Sequence, residues 1–186
     1  MATIEVQAHE QGLEVEVWAQ DEHRIGLKPI LRRCWAKRGQ RPVALVRPQY
    51  KWGYLHAFVR PRSGQTFWWL TSWIDAVAFS QVLAHFAADR EAGTKRWIIL
   101  VLDGAGWHRS RQVEIPPGLT LVPLPPYSPE LQPAERLWPL TNEPLVNRCI
   151  ETYPDLEEIQ CARCRQLEQQ TALIRDRTYF HWWPAA

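Results

Sequence analysis

Three acidic residues stand at points where the chain passes from one element of secondary structure to the next. Asp21 follows an alternating stretch, Asp103 follows an apolar run, and Glu135 follows a proline-rich segment. Carboxylate oxygens are the hard ligands that Mg²⁺ and Mn²⁺ prefer. Carboxylates gathered from distant segments suit a two-metal phosphoryl-transfer site, in which the ions activate a water and stabilise the leaving oxygen. Asp21, Asp103 and Glu135 are therefore the candidate catalytic and metal-binding residues, and two ions of Mg²⁺ or Mn²⁺ are the expected cofactor.

The first acid is positioned by a short strand. Residues 13–17 alternate strictly between apolar and polar side chains, which predicts a strand with one face in water. This strand is expected to end at about Ala19. Asp21 has the same parity as Leu13 and would point toward the buried side just past the strand. Glu22 would point the other way, which favours a structural or supporting role for it.

The other two acids are positioned by a buried strand and by a helix. The continuous apolar run over residues 97–102 predicts a strand covered on both faces, with Asp103 at its carboxyl end. Proline suits the first turn of a helix, so a helix is expected to start near Pro133 and to carry Glu135 on its first turn. Pro144 is expected to end that helix.

The remaining elements complete a recognisable order. They are a hairpin of strands over 54–59 and 66–70, a helix over 75–90 capped by Asp75, a short helix beginning at 108–112, a strand over 119–124 and a long helix from 154 to about 175. Three strands, helix, strand, helix, strand, helix is the order of a ribonuclease H-like α/β fold, a mixed sheet flanked by helices with a C-terminal helix. We expect residues 1–150 to form the catalytic domain and residues 151–186 to form a helical extension packed on it.

Composition excludes several classes of protein. With 186 residues, 46% hydrophobic and 23% charged, the chain is typical of a globular domain rather than a disordered one. No apolar run approaches the roughly 20 residues of a membrane span, and the first residues lack the order of a signal peptide. A cytoplasmic protein is therefore expected. Cys161 and Cys164 form a single C-x-x-C pair in a predicted helix, which favours reduced thiols over a zinc site.

Positive charge is concentrated in one stretch of the chain. The net charge is only +2, yet residues 23–74 contain no Asp or Glu and eleven Lys or Arg residues. Lys and Arg bind phosphates and release counterions, so this stretch predicts a nucleic-acid-binding face rather than an ordinary solvated surface. The residues expected to contact DNA, in this stretch and just after Asp103, are Arg32, Arg33, Trp35, Lys37, Arg38, Arg41, His108 and Arg109.

Two motifs carry a resemblance to a known family. Residues 103–110, Asp-Gly-Ala-Gly-Trp-His-Arg-Ser, resemble the second-aspartate motif of DDE transposases of the mariner-like superfamily, in particular the six-thirty family of bacterial insertion sequences. Residues 124–138, Leu-Pro-Pro-Tyr-Ser-Pro-Glu-Leu-Gln-Pro-Ala-Glu-Arg-Leu-Trp, resemble the third-acid motif of that family. Asp21 and Glu22 are similar to its first motif, and residues 35–42 fit the basic element that follows.

The resemblance implies a role for the three acids and a set of partners. Asp21, Asp103 and Glu135 take the positions of the family's metal ligands, and the 31 residues between the last two are close to the usual spacing. The implied function is metal-dependent DNA cleavage and strand transfer at insertion-sequence ends, performed by a homo-oligomer on DNA. Complete members carry an N-terminal helix-turn-helix region. We therefore expect this chain to be a catalytic half, and three origins stay open for it: the second of two split reading frames, whose first frame would encode a DNA-binding half as a further partner, a truncated remnant, or an excised domain.

The chain departs from the family's pattern at three positions. Gly104 and Gln132 stand where the family usually has Asn, and Ala134 stands where an aliphatic residue is usual. None of these departures removes a carboxylate. Two alternative functions stay open: a related nuclease or recombinase without strand transfer, and a truncated, catalytically silent remnant that binds DNA or a partner transposase.

Several residues near the acids have second interpretations. Glu130 is an alternative third ligand, although its place after Pro129 favours a helix-cap role. His108 could touch a phosphate, orient a ligand or simply begin a helix. Tyr127 and Ser128 could bind DNA or serve only the stiff proline-rich connector.

Overall fold

A five-stranded mixed sheet forms the centre of the protein. In the computed structural model, which describes residues 2–43, 49–126 and 128–184, the strands are β1 (Glu14–Gly26), β2 (Trp52–Arg60), β3 (Gln65–Thr71), β4 (Arg96–Leu102) and β5 (Leu119–Pro123). Their order across the sheet is β3-β2-β1-β4-β5. The pairs β1–β2 and β2–β3 are antiparallel, whereas β1–β4 and β4–β5 are parallel. The predicted mixed α/β sheet is confirmed.

Helices cover both faces of this sheet. They are α1 (Ala2–Glu10), α2 (Ala76–Asp89), α3 (Trp138–Asn142), α4 (Tyr153–Glu168) and α5 (Thr171–Thr178), with 3₁₀ helices over Pro129–Leu131, Pro133–Leu137 and Glu143–Leu145. Strand side chains alternate between faces, so Trp18 packs with Phe86 of α2 on one face. Val17 and Ala19 pack on the opposite face with the Pro133–Leu137 helix. Among the described residues, no helix has the length and apolarity needed to cross a bilayer.

Strand β1 is longer than its sequence pattern predicts. The alternation ends near Ala19, but β1 continues to Gly26 because its second half pairs with β2. The expectation that Asp21 lies past the end of the strand is therefore wrong, since Asp21 is inside β1 and opposite Ala57. Polar residues occupy this half of the strand because side chains such as Glu22 enter a buried hydrogen-bond network.

Helical segments near the site also differ from their predictions. The helix start at Pro133 is confirmed, but the segment is a 3₁₀ helix up to Leu137 and becomes α-helical only from Trp138. Residues 108–112 form turns instead of the expected short helix. His108 accounts for this difference, because its ring lies between the carboxylates of Glu22 and Asp103 and not on the surface of a helix.

The C-terminal region contains two helices where the pattern predicts one. Helix α4 ends at Glu168 and α5 begins at Thr171, with no proline or glycine between them to mark the break. Leu167 and Ile174 are both fully buried in one cluster with the Pro133–Leu137 helix. Packing on the helix that carries Glu135 therefore sets the direction of α5. The expected division between residues 1–150 and 151–186 stays a prediction.

Candidate active site

The three candidate acids line one cavity at the place where β1 and β4 part. The last pair between these strands is Ala19 with Val101, so Asp21 and Asp103 each follow this pair by two residues on adjacent segments of the chain. Glu135 adds a third wall from the Pro133–Leu137 helix. The cavity has a volume of about 490 Å³. The structure therefore brings all three acids to one cavity, and their catalytic role stays a prediction.

Gln132 attaches the helix of the third acid to the first strand. Its Nε2 donates a buried 2.8 Å hydrogen bond to the backbone carbonyl of Gln20, the residue before Asp21. Its Oε1 accepts from the Ala134 N–H at 3.4 Å and so caps the helix. In the sequence, Gln132 stands out only as a departure from the family pattern. A polar side chain just before Pro133 was the signal for this capping role.

Glu130 and Ser128 both belong to the proline-rich connector, but only one of them lines the cavity. Glu130 lies exposed on the Pro129–Leu131 helix and is not among the residues that line the cavity, whereas Ser128 is. The Ser128 side chain makes no capping bond, and its hydroxyl donates to the carbonyl of Pro126. Tyr127 lies outside the described residues.

Asp21 is held by an aromatic side chain in a poorly solvated place. Trp138 Nε1 donates a 3.1 Å hydrogen bond to Asp21 Oδ2. The Trp138 ring stacks on His23, whose Nε2 lies 3.0 Å from Asn142 Oδ1. Burial, reinforced by the charge of Glu22, raises the pKa of Asp21 to about 7. A positive charge placed in the cavity would favour the ionised form of Asp21 again.

Asp103 is held by a buried histidine. His108 Nδ1 lies 2.8 Å from Asp103 Oδ1, and His108 Nε2 lies 3.0 Å from Glu22 Oε1. Burial lowers the pKa of His108, but the hydrogen bonds to Asp103 and Glu22 outweigh it and raise the pKa to about 9. The bond from His108 also holds the pKa of Asp103 below its usual range. The His108 side chain is only 1% exposed, so its position does not support the predicted contact with DNA. Its contact with Asp103 fits the alternative interpretation, in which His108 orients a metal ligand.

The three acids offer ligands that suit a hard cation, but their side chains are not arranged as a complete metal site. Within residues 2–43, 49–126 and 128–184, no three His, Cys, Asp or Glu side chains are grouped as a metal site requires. Burial raises the pKa of Glu135, and the charge of Asp103 adds to this effect while Arg136 opposes it. The donor set nevertheless fits Mg²⁺ or Mn²⁺, because all three side chains offer carboxylate oxygens to one cavity.

The other residues predicted to contact DNA fall into two groups. Arg109 lines the acid cavity, and its guanidinium occupies the space that a side chain at Gly104 would fill. Residues 31–43, the basic arm, are all exposed, and Trp35 is exposed over its whole surface. The arm carries Arg32, Arg33, Trp35, Lys37, Arg38 and Arg41, and none of these lines the acid cavity.

The base of the basic arm is fastened to the segment that follows the third acid. The Arg32 N–H donates to Asn147 Oδ1 at 2.9 Å, and Asn147 Nδ2 donates back to the Arg32 carbonyl at 3.1 Å. The Arg32 guanidinium also pairs with Glu143 at 2.7 Å. The arm therefore starts from a defined point, which makes Arg32 an anchor while Arg33 and the residues beyond it stay exposed.

Replacing Asp21 by Asn is expected to stabilise the metal-free protein at neutral and higher pH. The ordinary pKa of an Asp side chain is 3.8, whereas folding raises the pKa of Asp21 to about 7. The free-energy cost of burying ionised Asp21 is absent at pH values below its pKa in the unfolded chain. The cost grows as pH rises and is complete above the pKa in the folded chain. The Asn variant is expected to be more stable by a few kcal/mol at about pH 8, because one pKa unit corresponds to about 1.4 kcal/mol.

Chemical denaturation in EDTA at about pH 8 and at about pH 4 measures this difference. The gain in the free energy of unfolding is expected at the higher pH and is expected to be nearly absent at the lower one. Glu130→Gln removes an exposed acid from the adjacent helix and serves as the control, for which no gain is expected. Equal stabilities of the wild type and Asp21→Asn at about pH 8 would contradict the prediction.

Comparison with known proteins identifies the family. Residues 16–157, more than half of the chain, match the family model described as DDE superfamily endonuclease. The uncharacterized protein y4pE/y4sA of Sinorhizobium fredii (strain NBRC 101917 / NGR234) is 33% identical over 120 residues, which cover 64% of this chain and 87% of that protein. The region matched by the family model contains all three acids of the cavity.

Solved structures share the fold. The Mos1 strand transfer complex superposes with a TM-score of 0.56 and 18% identity over 96% of this chain and 60% of that one. A pre-cleavage Mos1 transpososome gives 0.57 and 16% identity over 97% and 61%. The chain thus spans about 60% of the length of the Mos1 chains that it matches, and the predicted ribonuclease H-like fold is confirmed. From its family match and its fold, the chain belongs to the DDE superfamily endonucleases.

Proposed function

We propose that this chain is the catalytic domain of a DDE transposase that cleaves DNA at insertion-sequence ends and joins the freed ends to target DNA. The observation that carries the proposal is the cavity shared by Asp21, Asp103 and Glu135, three acids delivered by a strand, a strand end and a helix. Family membership supports the cleavage chemistry. The Mos1 structures, described as strand transfer and pre-cleavage complexes, support the joining step.

Each residue of the cavity has a distinct part in this proposal. Asp21, Asp103 and Glu135 would hold Mg²⁺ or Mn²⁺, as supported by the Mos1 paired-end complexes with Mn and with Mg. Two bound ions would activate the attacking oxygen and stabilise the leaving one. Arg109 would hold a phosphate beside the acids, since its guanidinium lies at the cavity wall.

A strand-joining assay tests the proposal against its alternatives. The substrate is a duplex that carries the DNA flanking the gene, incubated with a supercoiled plasmid in MnCl₂. Joined products support a transposase, and nicked products without joining indicate a nuclease or recombinase on the same fold. DNA binding that gives neither product, and that survives replacement of all three acids, indicates a catalytically silent remnant.

We also propose that the basic arm follows the DNA backbone and that the chain acts as an oligomer on DNA. The exposed Arg and Lys side chains of the basic arm can neutralise DNA phosphates without recognising the base sequence. The likeness to the Mos1 strand transfer and paired-end complexes supports both DNA binding and assembly into an oligomer. A separately encoded helix-turn-helix partner stays a prediction of the family resemblance.

Removing two charges from the basic arm is expected to weaken DNA binding and its salt dependence. Arg38→Ala with Arg41→Ala removes two exposed cations. If both contact phosphates, the slope of log K against log salt falls by roughly 1.8, since each contact contributes about 0.9. Fluorescence anisotropy with a labelled duplex over a range of KCl concentrations measures the slope.

The matched control for the arm removes two exposed arginines from the C-terminal helices. Arg165→Ala with Arg177→Ala makes the same change in net charge at positions on α4 and α5. This control is expected to leave the salt slope close to that of the wild type. Equal slopes for the two double variants would show that the arm contributes only general charge.

A further inference from the structure

A buried pair of side chains stands directly behind one of the acids. We propose that His108 and Glu22 form a positioning pair that holds Asp103 in the orientation needed to bind a metal ion. The inference rests on the proposed function, because it gives this pair a purpose only if Asp103 is a ligand. Neither residue touches the reacting atoms in this proposal, so both act through Asp103.

The pair is sealed from solvent and joined by short contacts. His108 has 1% of its side chain exposed and Glu22 has 5%, and their contact measures 3.0 Å between Nε2 and Oε1. The ring of Phe79 packs against the imidazole with centroids 4.5 Å apart. Burying ionisable groups costs free energy unless they are paired and hydrogen-bonded. Two apolar side chains could fill this space at a lower cost in free energy. The buried polar pair therefore indicates a role beyond packing.

The contact with Asp103 engages only one of the two carboxylate oxygens of this side chain. Asp103 Oδ1 lies 2.8 Å from His108 Nδ1 and accepts a 3.0 Å bond from the Ala105 N–H. For the part of the chain that the structure describes, both polar contacts of this side chain are made through Oδ1. With 53% of its side chain exposed, Asp103 would otherwise sample several rotamers. The contact with His108 therefore restricts the orientation of the Asp103 side chain, which lines the acid cavity.

Glu22 is itself held in place by the sheet. Gln20 Nε2 donates a 2.8 Å hydrogen bond to Glu22 Oε1, and His56 Nδ1 lies 3.5 Å from the same oxygen. His56 is opposite Glu22 on the neighbouring strand β2, and its Nε2 lies 3.1 Å from Thr71 Oγ1 on β3. The support behind Asp103 thus extends across three strands, and it does not depend on a loop.

Two variants of His108 separate positioning from mere packing. In His108→Asn the amide can keep a donor near the position of Nδ1 and so keep the contact with Asp103, while the contact with Glu22 is lost. In His108→Gln the amide can keep a donor near the position of Nε2 and so keep the contact with Glu22, while the contact with Asp103 is lost. His56→Ala is the matched control, because it removes an imidazole from Glu22 without touching Asp103.

Binding of Mn²⁺ to the full chain, followed by the electron paramagnetic resonance of the free ion, is the principal measurement. Thermal unfolding in EDTA gives the stability of each variant. We expect His108→Gln to bind Mn²⁺ about 10 to 100-fold more weakly at near wild-type stability, as is usual when the support of a metal ligand is lost. His56→Ala is expected to lose stability yet to bind Mn²⁺ within about threefold of the wild type, since the contacts of His108 with Glu22 and with Asp103 both remain. His108→Asn keeps only the contact with Asp103, so it is expected to bind Mn²⁺ more weakly than the wild type but more tightly than His108→Gln.

Other outcomes overturn the assignment. Wild-type Mn²⁺ affinity in folded His108→Gln would show that Asp103 needs no support from His108. Affinities that fall in parallel with stability in all variants, or failure of both His108 variants to fold, would give the pair a purely structural role. Asp103→Asn distinguishes failure of the pair from failure of the site. If Asp103→Asn itself leaves Mn²⁺ binding unchanged, the proposed function fails; if it abolishes binding while His108→Gln does not, only the positioning pair fails.

Discussion

Asp103→Asn is expected to abolish the proposed Mn²⁺-dependent cleavage of DNA by this chain, and Asp21→Asn and Glu135→Gln are expected to do the same. Each substitution replaces a carboxylate by a neutral amide of the same shape in the cavity that the three acids share. A metal ion supplies several kcal/mol of transition-state stabilisation, so losing its ligand is expected to slow cleavage by roughly a thousandfold or more. Nicking of a supercoiled plasmid in MnCl₂, measured as an initial rate, gives the effect.

Glu130→Gln is the control for the acid substitutions. It removes an exposed acid from the same proline-rich segment, five residues before Glu135 and outside the cavity lining. Its nicking rate is expected to match that of the wild type. Full activity in Asp103→Asn would remove the basis of the proposed function. Loss of activity in Glu130→Gln together with retention in Glu135→Gln would exchange their assigned roles.

Deleting residues 151–186 is expected to prevent the remaining chain from folding. The segment supplies buried apolar side chains from α4, α5 and the residues after α5, among them Leu156, Leu167, Ile174 and Trp183. Each contributes about 1.5 to 3 kcal/mol of burial free energy. Their sum is comparable to the whole stability of a typical domain, about 5 to 15 kcal/mol. Circular dichroism and gel filtration of the shortened chain measure the loss.

Single substitutions refine the deletion. Leu167→Ala is expected to lower the free energy of unfolding by about 2 to 5 kcal/mol, because Leu167 is fully buried beneath the helix that carries Glu135. Exposed Gln169→Ala, two residues away, is expected to change it by less than about 0.5 kcal/mol. A cooperatively folded chain of residues 1–150 would show that the C-terminal helices are an addition to a complete core.

Local sequence patterns determined the main elements of the fold and the three candidate acids. The apolar run before Asp103 predicted β4, because a strand covered on both faces leaves a continuous apolar signature. Asp75 and the helical spacing after it predicted α2, whose cap bond from the Ala78 N–H measures 2.7 Å. Pro133 marked the start of the helix that carries Glu135. Each of these signals lies within a few residues of the feature that it predicts.

The support of the acids is set by contacts between distant parts of the chain. His108 meets Glu22 across 86 positions of sequence, and Gln132 meets Gln20 across 112. Pairing with a distant strand likewise carries β1 past Ala19, where its own alternation ends. A local pattern records the propensity and periodicity of neighbouring residues. It cannot record which remote partner will satisfy a buried polar group, and that satisfaction is set by the free energy of the folded chain as a whole.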